Sequence, residues 1–273
     1  MDFTNLTSLK EILKKHDAFP SKTMGQNFLV DKTVLSKIMA AANLNQEDTV
    51  LEVGPGLGIL TVELAKAAKK VIAVEKDSRM VTILEDSLAT CRNVEVKKED
   101  ILIFSDIPVE PYKIVANIPY YLTSPLIRKF LETEHQPQSM ILMVQKEVAK
   151  RICEKPPHMS LLAVSVQFYA KTRIISTVSK HCFWPSPKVD SAIIEIIPYN
   201  RYSNLAEANA FFKVVKAGFS QPRKQLVNNF SKSLGKEKSE ISVWLSKNNL
   251  SPTQRAETLT IEDWIHLINT LEL

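Results

Sequence analysis

The sequence predicts an α/β protein, with a parallel sheet covered by helices on both faces and a small all-helical domain after it. Three observations carry this expectation. Strand-like and helix-like segments alternate between residues 49 and 144, which is the pattern of successive βαβ units. A glycine-rich stretch, Gly54-Pro55-Gly56-Leu57-Gly58, stands where the first of those strands gives way to a helix. Beyond Pro198 the apolar residues recur at helical spacing and the strand pattern stops.

The elements follow in order. Residues 8–16 suit a short helix. Residues 32–43 suit another, with Asp31 as N-cap, because its carboxylate can accept from a free N–H of the first turn. Thr49–Val53 reads as a strand, 59–68 as a helix and Val71–Val74 as a strand. Residues 78–90 read as a helix, and Val94–Val96 and Lys113–Ala116 as strands. Residues 123–133 are expected to be helical and Met140–Val144 extended. Two later apolar runs, Ala163–Phe168 and Ala192–Ile197, are expected to pair antiparallel at a sheet edge. Then Leu226, Phe230 and Leu234 recur every four residues, Ile241 precedes Trp244 and Leu245, and Trp264 precedes Ile265 and Ile268. A boundary near residue 200 divides the chain into 1–200 and an all-helical 201–273.

Composition narrows the function classes. With 45% apolar and 24% charged residues among 273, the chain can bury a sizeable core and is not of the disordered class. A net charge of +5 and a pI near 8.9 are mildly basic and do not alone demand a nucleic-acid partner. Cys91, Cys153 and Cys182 form no C-x-x-C pair, so neither a zinc knuckle nor a disulfide framework is indicated and reduced thiols are expected. The first 17 residues carry charges without a long apolar core, unlike a signal peptide. No apolar run approaches the ~20 residues that span a bilayer. A cytoplasmic protein with no membrane partner is expected. The histidines at 16, 135, 158, 181 and 266 show no paired ligand spacing, so no metal is expected.

The chemistry-bearing residues fall at the carboxyl ends of the expected strands, where ligands bind in open α/β sheets. Glycines at 54, 56 and 58 allow a sharp turn and close backbone approach to a ligand. Glu75 ends the next strand, 21 residues after Gly54, where a carboxylate can grip two ribose hydroxyls. The loop departs from G-x-G-x-x-G and no basic residue obviously pairs a pyrophosphate, so an adenosine-type cofactor without phosphates fits better than a dinucleotide. Glu99-Asp100 ends the third strand and offers an acceptor for an adenine amine, or reads simply as an exposed acidic pair. Asn117-Ile118-Pro119-Tyr120 follows the apolar run Ile114-Val115-Ala116. The Asn117 side-chain oxygen and the Pro119 carbonyl could both accept from one exocyclic amine, and Tyr120 offers a stacking face. That set suits methyl transfer to the amino group of adenine. Alone it also reads as an ordinary strand-to-loop turn.

Taken together, these segments resemble a known family. Gly25-Gln26-Asn27-Phe28-Leu29, the run from Glu52 to Thr61, Val74-Glu75, Glu99-Asp100, Asn117-Ile118-Pro119-Tyr120-Tyr121 and Phe183-Trp184-Pro185-Ser186-Pro187-Lys188-Val189-Asp190-Ser191 occur in order. The set is similar to the ribosomal RNA adenine N6,N6-dimethyltransferases, and most to the bacterial branch that modifies two adjacent adenosines near the 3′ end of 16S rRNA. The segment from Phe219 to Phe230 resembles that family's basic helix, and Pro252 with Arg255-Ala256-Glu257-Thr258-Leu259 its closing motif. Pro222 stands where the family usually has Arg, which puts one RNA contact in doubt. The resemblance implies a Rossmann-like S-adenosylmethionine-dependent methyltransferase sheet with a helical rRNA-binding domain. It implies that Asn27 and Leu29 close over the methionine end, Gly54 lines the cofactor's path, Glu75 holds the ribose and Asp100 the adenine amine. Asn117 would lie between donor and target, and Phe183 would stack on the target adenine opposite Tyr120, or else be a core aromatic. The partner implied is 16S rRNA within the small subunit, met by a monomer.

Between residues 213 and 238, seven basic residues, Arg223 and Lys224 among them, stand against Glu237 alone. Such a run is either a solvated face or a phosphate-binding surface. Two other functions remain open at this point. One is a large-subunit rRNA methylase conferring antibiotic resistance, against which the Pro185–Asp190 stretch and Arg255-Ala256-Glu257 argue. The other is a non-catalytic RNA-binding or transcription factor on the same fold, against which the intact Asn117–Tyr120 motif and glycine loop argue.

Overall fold

A computed structural model describes residues 5–199 and 205–271. The chain divides into two compact units, Met1–Ala149 with Thr172–Pro198, and Lys150–Lys171 with Tyr199–Leu273.

The first unit contains helix α1 (Leu6–Lys15), the short strand β1 (Phe28–Leu29) and helix α2 (Lys32–Ala42). Asp31 caps α2 as expected, its side chain accepting from Val34 N at 3.0 Å. Strand β2 (Thr49–Val53), helix α3 (Ile59–Ala67), strand β3 (Lys70–Glu75), helix α4 (Ser78–Ser87) and strand β4 (Val94–Lys98) follow. Strand β5 (Tyr112–Asn117), helix α5 (Thr123–Leu131) and strand β6 (Ser139–Gln145) continue the alternation. Helix α6 (Lys146–Cys153) leads out of this unit and helix α7 (Leu161–Gln167) lies in the other. Strands β7 (Ala170–Val178), β8 (Phe183–Trp184) and β9 (Ser191–Pro198) bring the chain back.

The main sheet has the order β4-β3-β2-β5-β6-β9-β7. β4, β3, β2, β5 and β6 are parallel, and β9 is antiparallel to β6, with Leu142 opposite Ile194. β1 and β8 form a separate antiparallel pair, with Phe28 opposite Trp184 and Leu29 opposite Phe183. The central strands are buried along nearly their whole length, as in Ile114-Val115-Ala116 and Met140–Val144, because helices cover both faces. Fully burying each such aliphatic side chain is worth ~1.5–3 kcal/mol. α5 shows the matching logic from the helix side. Leu126, Ile127, Phe130 and Leu131 are its buried stripe, and Pro125 falls in its first turn, where a missing N–H costs nothing.

One expected strand is a helix. Residues 163–168 belong mostly to α7, where the Ser160 hydroxyl caps the first turn by accepting from Ala163 N at 3.1 Å. The edge strand is instead β7, the next segment along, where Arg173 pairs with Glu195 on β9. Residues 150–171, which the sequence boundary near 200 leaves in the first domain, pack with the second unit. There Met159 N donates to Glu257 O at 2.8 Å and Phe168 stacks on Phe211 with ring centroids 3.8 Å apart.

The second unit also holds helices α8 (Leu205–Gly218), α9 (Leu226–Leu234), α10 (Lys238–Lys247) and α11 (Ile261–Asn269). The helical periodicity beyond residue 200 is therefore borne out. Its core gathers Leu226, Phe230, Ile241, Leu245 and Trp264, with Trp264 stacked on Phe219.

Candidate active site

The sheet order places a cleft where the winding direction reverses. The chain runs outward from β2 to β3 and β4, then returns to put β5 on the other side of β2. Loops leaving β2 and β5 therefore diverge and open a crevice at the strands' carboxyl ends. The cleft there holds about 1110 Å³ counting its open mouth. Asn27, Leu29, Gly54, Glu75, Asp100, Asn117, Pro119, Tyr120 and Phe183 all line it. Nine residues spread from position 27 to position 183 thus meet in one site.

The glycine loop is held in a form that only glycine adopts easily. Gly54 and Gly56 have φ of +65° and +59°, where an L side chain is strained. A Cβ on Gly56 would also sit 3.1 Å from the ring of Phe28. Without one, Gly56 N reaches the Glu75 carboxylate at 3.1 Å. The other Glu75 oxygen accepts from Asp77 N at 2.8 Å. Glu75 is only 8% exposed, and burial pushes its carboxyl up against these two stabilising N–H contacts. It is a fixed acceptor at the cleft wall.

Beneath the loop, Glu52 is 1% exposed. Burial pushes its carboxyl up to about 8, with the Glu75 charge adding to the shift and the Thr61 hydroxyl opposing it. The Thr61 hydroxyl lies near enough to oppose the shift but makes no well-formed hydrogen bond to the carboxyl: Glu52 Oε2 and Thr61 Oγ1 are both buried without a partner of good geometry among the described residues. Such orphaned acceptors are uncommon in folded proteins.

Two strands further, Asp100 takes Leu102 N at 3.0 Å on one oxygen and Lys76 Nζ at 2.8 Å on the other. The Lys76 ammonium, above all, holds the Asp100 carboxyl below its usual range. At the end of β5, Asn117 donates through Nδ2 to Asn27 O at 3.3 Å, which leaves the acceptor end of its amide for another group. The Pro119 carbonyl accepts from Leu122 N at 2.9 Å, so one of its two lone pairs is used. Tyr120 is fixed by a 2.8 Å hydrogen bond between its hydroxyl and Ser191 Oγ. Phe183 is 4% exposed and belongs to the core cluster with Phe28 and Leu29, while still lining the cleft.

Arg223 and Lys224 lie away from these residues in sequence and in unit. Both are exposed, in the turn between α8 and α9. The stretch from Phe219 to Gln225, expected to be part of a basic helix, is a turn. α9 begins only at Leu226, with Gln225 at the N-cap position but no side-chain capping bond, so Pro222 neither starts nor kinks a helix. Buried Asn229 ties this turn down, donating to Gly218 O at 2.6 Å and Gln221 O at 3.1 Å.

Among the described residues no cluster of three or more His, Cys, Asp or Glu could hold a metal ion. No helix among them is long and apolar enough to cross a membrane.

A family model described as ribosomal RNA adenine dimethylase matches residues 20–273. The chain belongs to the ribosomal RNA adenine dimethylase family. It is an rRNA-modifying enzyme of the methyltransferase class, and its relatives are similar along the full length. A protein of Dehalococcoides mccartyi named ribosomal RNA small subunit methyltransferase A is 42% identical, over 95% of this chain and 91% of its own. Proteins of the same name from Clostridioides difficile and Bacillus mycoides are 38% and 37% identical, over 96% and 100% of this chain and 94% and 98% of theirs. Among solved structures, a dimethyladenosine transferase from Plasmodium falciparum matches with a TM-score of 0.76 and 30% identity, over 88% of this chain and 95% of that one. The 23S rRNA methyltransferase ErmE matches with a TM-score of 0.74 and 28% identity, over 90% and 99%. The Rossmann-like methyltransferase sheet expected from the sequence is the fold these two solved structures share.

Sequence reasoning left three site residues without a role. Gln26 bridges the N-terminal segment to the end of β3, donating to Asp77 Oδ2 at 3.0 Å and accepting from Ser21 N at 2.7 Å. Lys76 pairs with Asp100, and Glu52 lies orphaned under the loop. The only signal for Lys76 was its position directly after Glu75. The signal for Glu52 was a charge inside an otherwise apolar strand.

Proposed function

We propose that this chain transfers methyl groups from S-adenosylmethionine to N6 of two adjacent adenosines near the 3′ end of 16S rRNA, in the small ribosomal subunit. The carrying observation is the meeting, in one cleft, of the fixed Glu75 carboxylate with the Asn117–Tyr120 turn. The residues fit the cofactor. Glu75 suits a ribose diol, and Asp100 an adenine amine. The loop at Gly56 lacks room for a Cβ but admits close backbone contact. Asn27, Leu29, Gly54 and Asn117 complete the set that would hold it. When bound, S-adenosylmethionine supplies a methyl group already activated on a sulfonium.

The remaining work falls to the chain itself. The N6 amine of adenine is conjugated with its ring and so is a poor nucleophile. Hydrogen bonds from that amine to Asn117 Oδ1 and to the free lone pair of the Pro119 carbonyl favour a pyramidal nitrogen. Those bonds strengthen toward the transition state, which is where they accelerate. Tyr120 and Phe183 would stack on the base, each such contact worth ~1–3 kcal/mol against the few kcal/mol of unstacking it. The helical unit, through Arg223 and Lys224, would hold rRNA phosphates. A monomer working in the cytoplasm is consistent with this substrate.

The large-subunit alternative is set aside, since full-length curated relatives carry the small-subunit name. The non-catalytic alternative falls with membership in a dimethylase family. The test is methyl transfer to small subunits that lack these methyl groups, measured for the native chain and for Asn117→Ala. Loss of one preorganised transition-state hydrogen bond costs on the order of 100-fold. The variant is expected to be slowed by at least that much in single turnover, with cofactor affinity changed only a few-fold. Native-like rates for Asn117→Ala would make this residue a turn former only.

A further inference from the structure

The pair between Lys76 and Asp100 spans the ends of two neighbouring strands. Lys76 directly follows β3, and Asp100 lies two residues past β4. The strands run parallel with Glu75 opposite Lys98, and both paired residues line the cleft beside Glu75, Ile101 and Tyr121. Their side chains differ in exposure, 59% for Lys76 and 26% for Asp100. So the lysine reaches inward from the mouth to a half-covered carboxylate. Asp100 has two oxygens, and the backbone N–H of Leu102 fixes only Oδ1. Oδ2 is fixed by Lys76 alone among the described residues.

An ionised carboxylate is acceptor-only, with about four lone-pair directions on its two oxygens. A ligand amine facing Asp100 needs one of them aimed at it. With Lys76 on Oδ2, the carboxylate cannot rotate without breaking a charge-assisted bond, and the lysine uses only part of that oxygen's accepting capacity. The lysine also favours the ionised form, its hydrogen bond being the chief cause that lowers the Asp100 carboxyl. We infer that Lys76 is a positioning residue for recognition of the cofactor's adenine, holding the Asp100 carboxylate in place to accept from the 6-amino group. This rests on the reading of the cleft as an S-adenosylmethionine site.

The experiment compares two ligands by titration calorimetry. One is S-adenosylhomocysteine, and the other is its 6-deamino analogue, with purine in place of adenine. The analogue has neither donor nor acceptor at carbon 6, so Lys76 cannot compensate by binding it directly. A hydrogen bond to a charged acceptor contributes roughly 10- to 100-fold, and the native chain is expected to prefer the adenine compound by that order. Lys76→Met should shrink the preference to about 3-fold or less, with little change for the analogue. Lys76→Arg, which can keep the pair, should restore it. An unshifted thermal transition in both variants excludes a folding effect. A native-like preference in Lys76→Met would overturn the proposal. So would tighter binding of the adenine compound by that variant, because the lysine would then compete with the amine. If the native chain binds neither ligand, the cofactor reading itself fails, and this inference falls with it.

Discussion

Glu75 is already held by the backbone N–H groups of Gly56 and Asp77 before any ligand arrives. On the proposed reading its carboxylate would therefore meet ribose hydroxyls without first losing side-chain freedom, the general advantage of preorganisation. Glu75→Ala should lower S-adenosylmethionine affinity by ~2–4 kcal/mol, from about 1.5–3 per charged hydrogen bond with imperfect additivity. Calorimetry that finds unchanged affinity would remove Glu75 from the site. Glu52 makes a different prediction. Its folded carboxyl titrates near 8, above the ordinary value of 4.5, so the folded chain holds this proton more tightly than the unfolded one. The stabilisation is fully present below about pH 4.5 and is lost as pH rises through about 8. The slope can reach ~1.4 kcal/mol per pH unit inside that window. Glu52→Gln, which cannot ionise, should lose less stability than the native chain between pH 5 and pH 9 in chemical denaturation. Parallel curves for the two would mean that Glu52 finds a partner in solution. Residue types at strand ends made Glu75, Asp100 and Asn117 legible from the sequence. Lys76 and Gln26 were not, because their partners stand 24 and 51 positions away and only the fold brings them near.

At the scale of elements, the β2–loop–α3 unit is the piece on which the cleft depends. Gly56→Ala would place a side chain at φ +59° and 3.1 Å from Phe28. Strain of this kind costs of order 1–3 kcal/mol. It should also shift the N–H that Gly56 gives Glu75, so stability and cofactor affinity should fall together. A variant that binds normally, with an unchanged denaturation midpoint, would show that the loop tolerates a Cβ. The parallel strands were legible for a simple reason: strands buried on both faces are short, apolar and β-branched. The error at 163–168 has the same root. Ala163-Val164-Ser165-Val166 is also short and apolar, and such a run does not by itself distinguish strand from buried helix. The deciding residue was Ser160, whose hydroxyl caps the turn. β7 was missed because Lys171, Arg173 and Thr177 stay exposed, which hides an edge strand among polar residues.

For the whole molecule, the cleft and the basic turn with Arg223 and Lys224 fall in different units. Every residue of the cleft belongs to the first unit, and Arg223 and Lys224 belong to the second. The turn that carries them is anchored by Asn229 rather than by helix, so their backbone is fixed while their side chains stay in solvent. Replacing both with Ala removes no buried contact and should leave the fold and S-adenosylmethionine binding unchanged. If they meet rRNA phosphates, each releases about one counterion on binding, and log affinity then falls with log salt by about one unit per contact. The double variant should therefore bind small subunits more weakly at low salt, with a slope shallower by about two units. The two curves should converge as salt rises, because the lost interactions are the ones that salt screens. Turnover at saturating subunit should survive, since Asn117, Pro119 and Tyr120 are untouched. Subunit binding measured across a salt series decides the matter. A slope equal to that of the native chain would make Arg223 and Lys224 part of a solvated surface, and rRNA recognition would have to be sought among the other exposed basic residues of the helical unit, beginning with Lys213, Lys216 and Lys232.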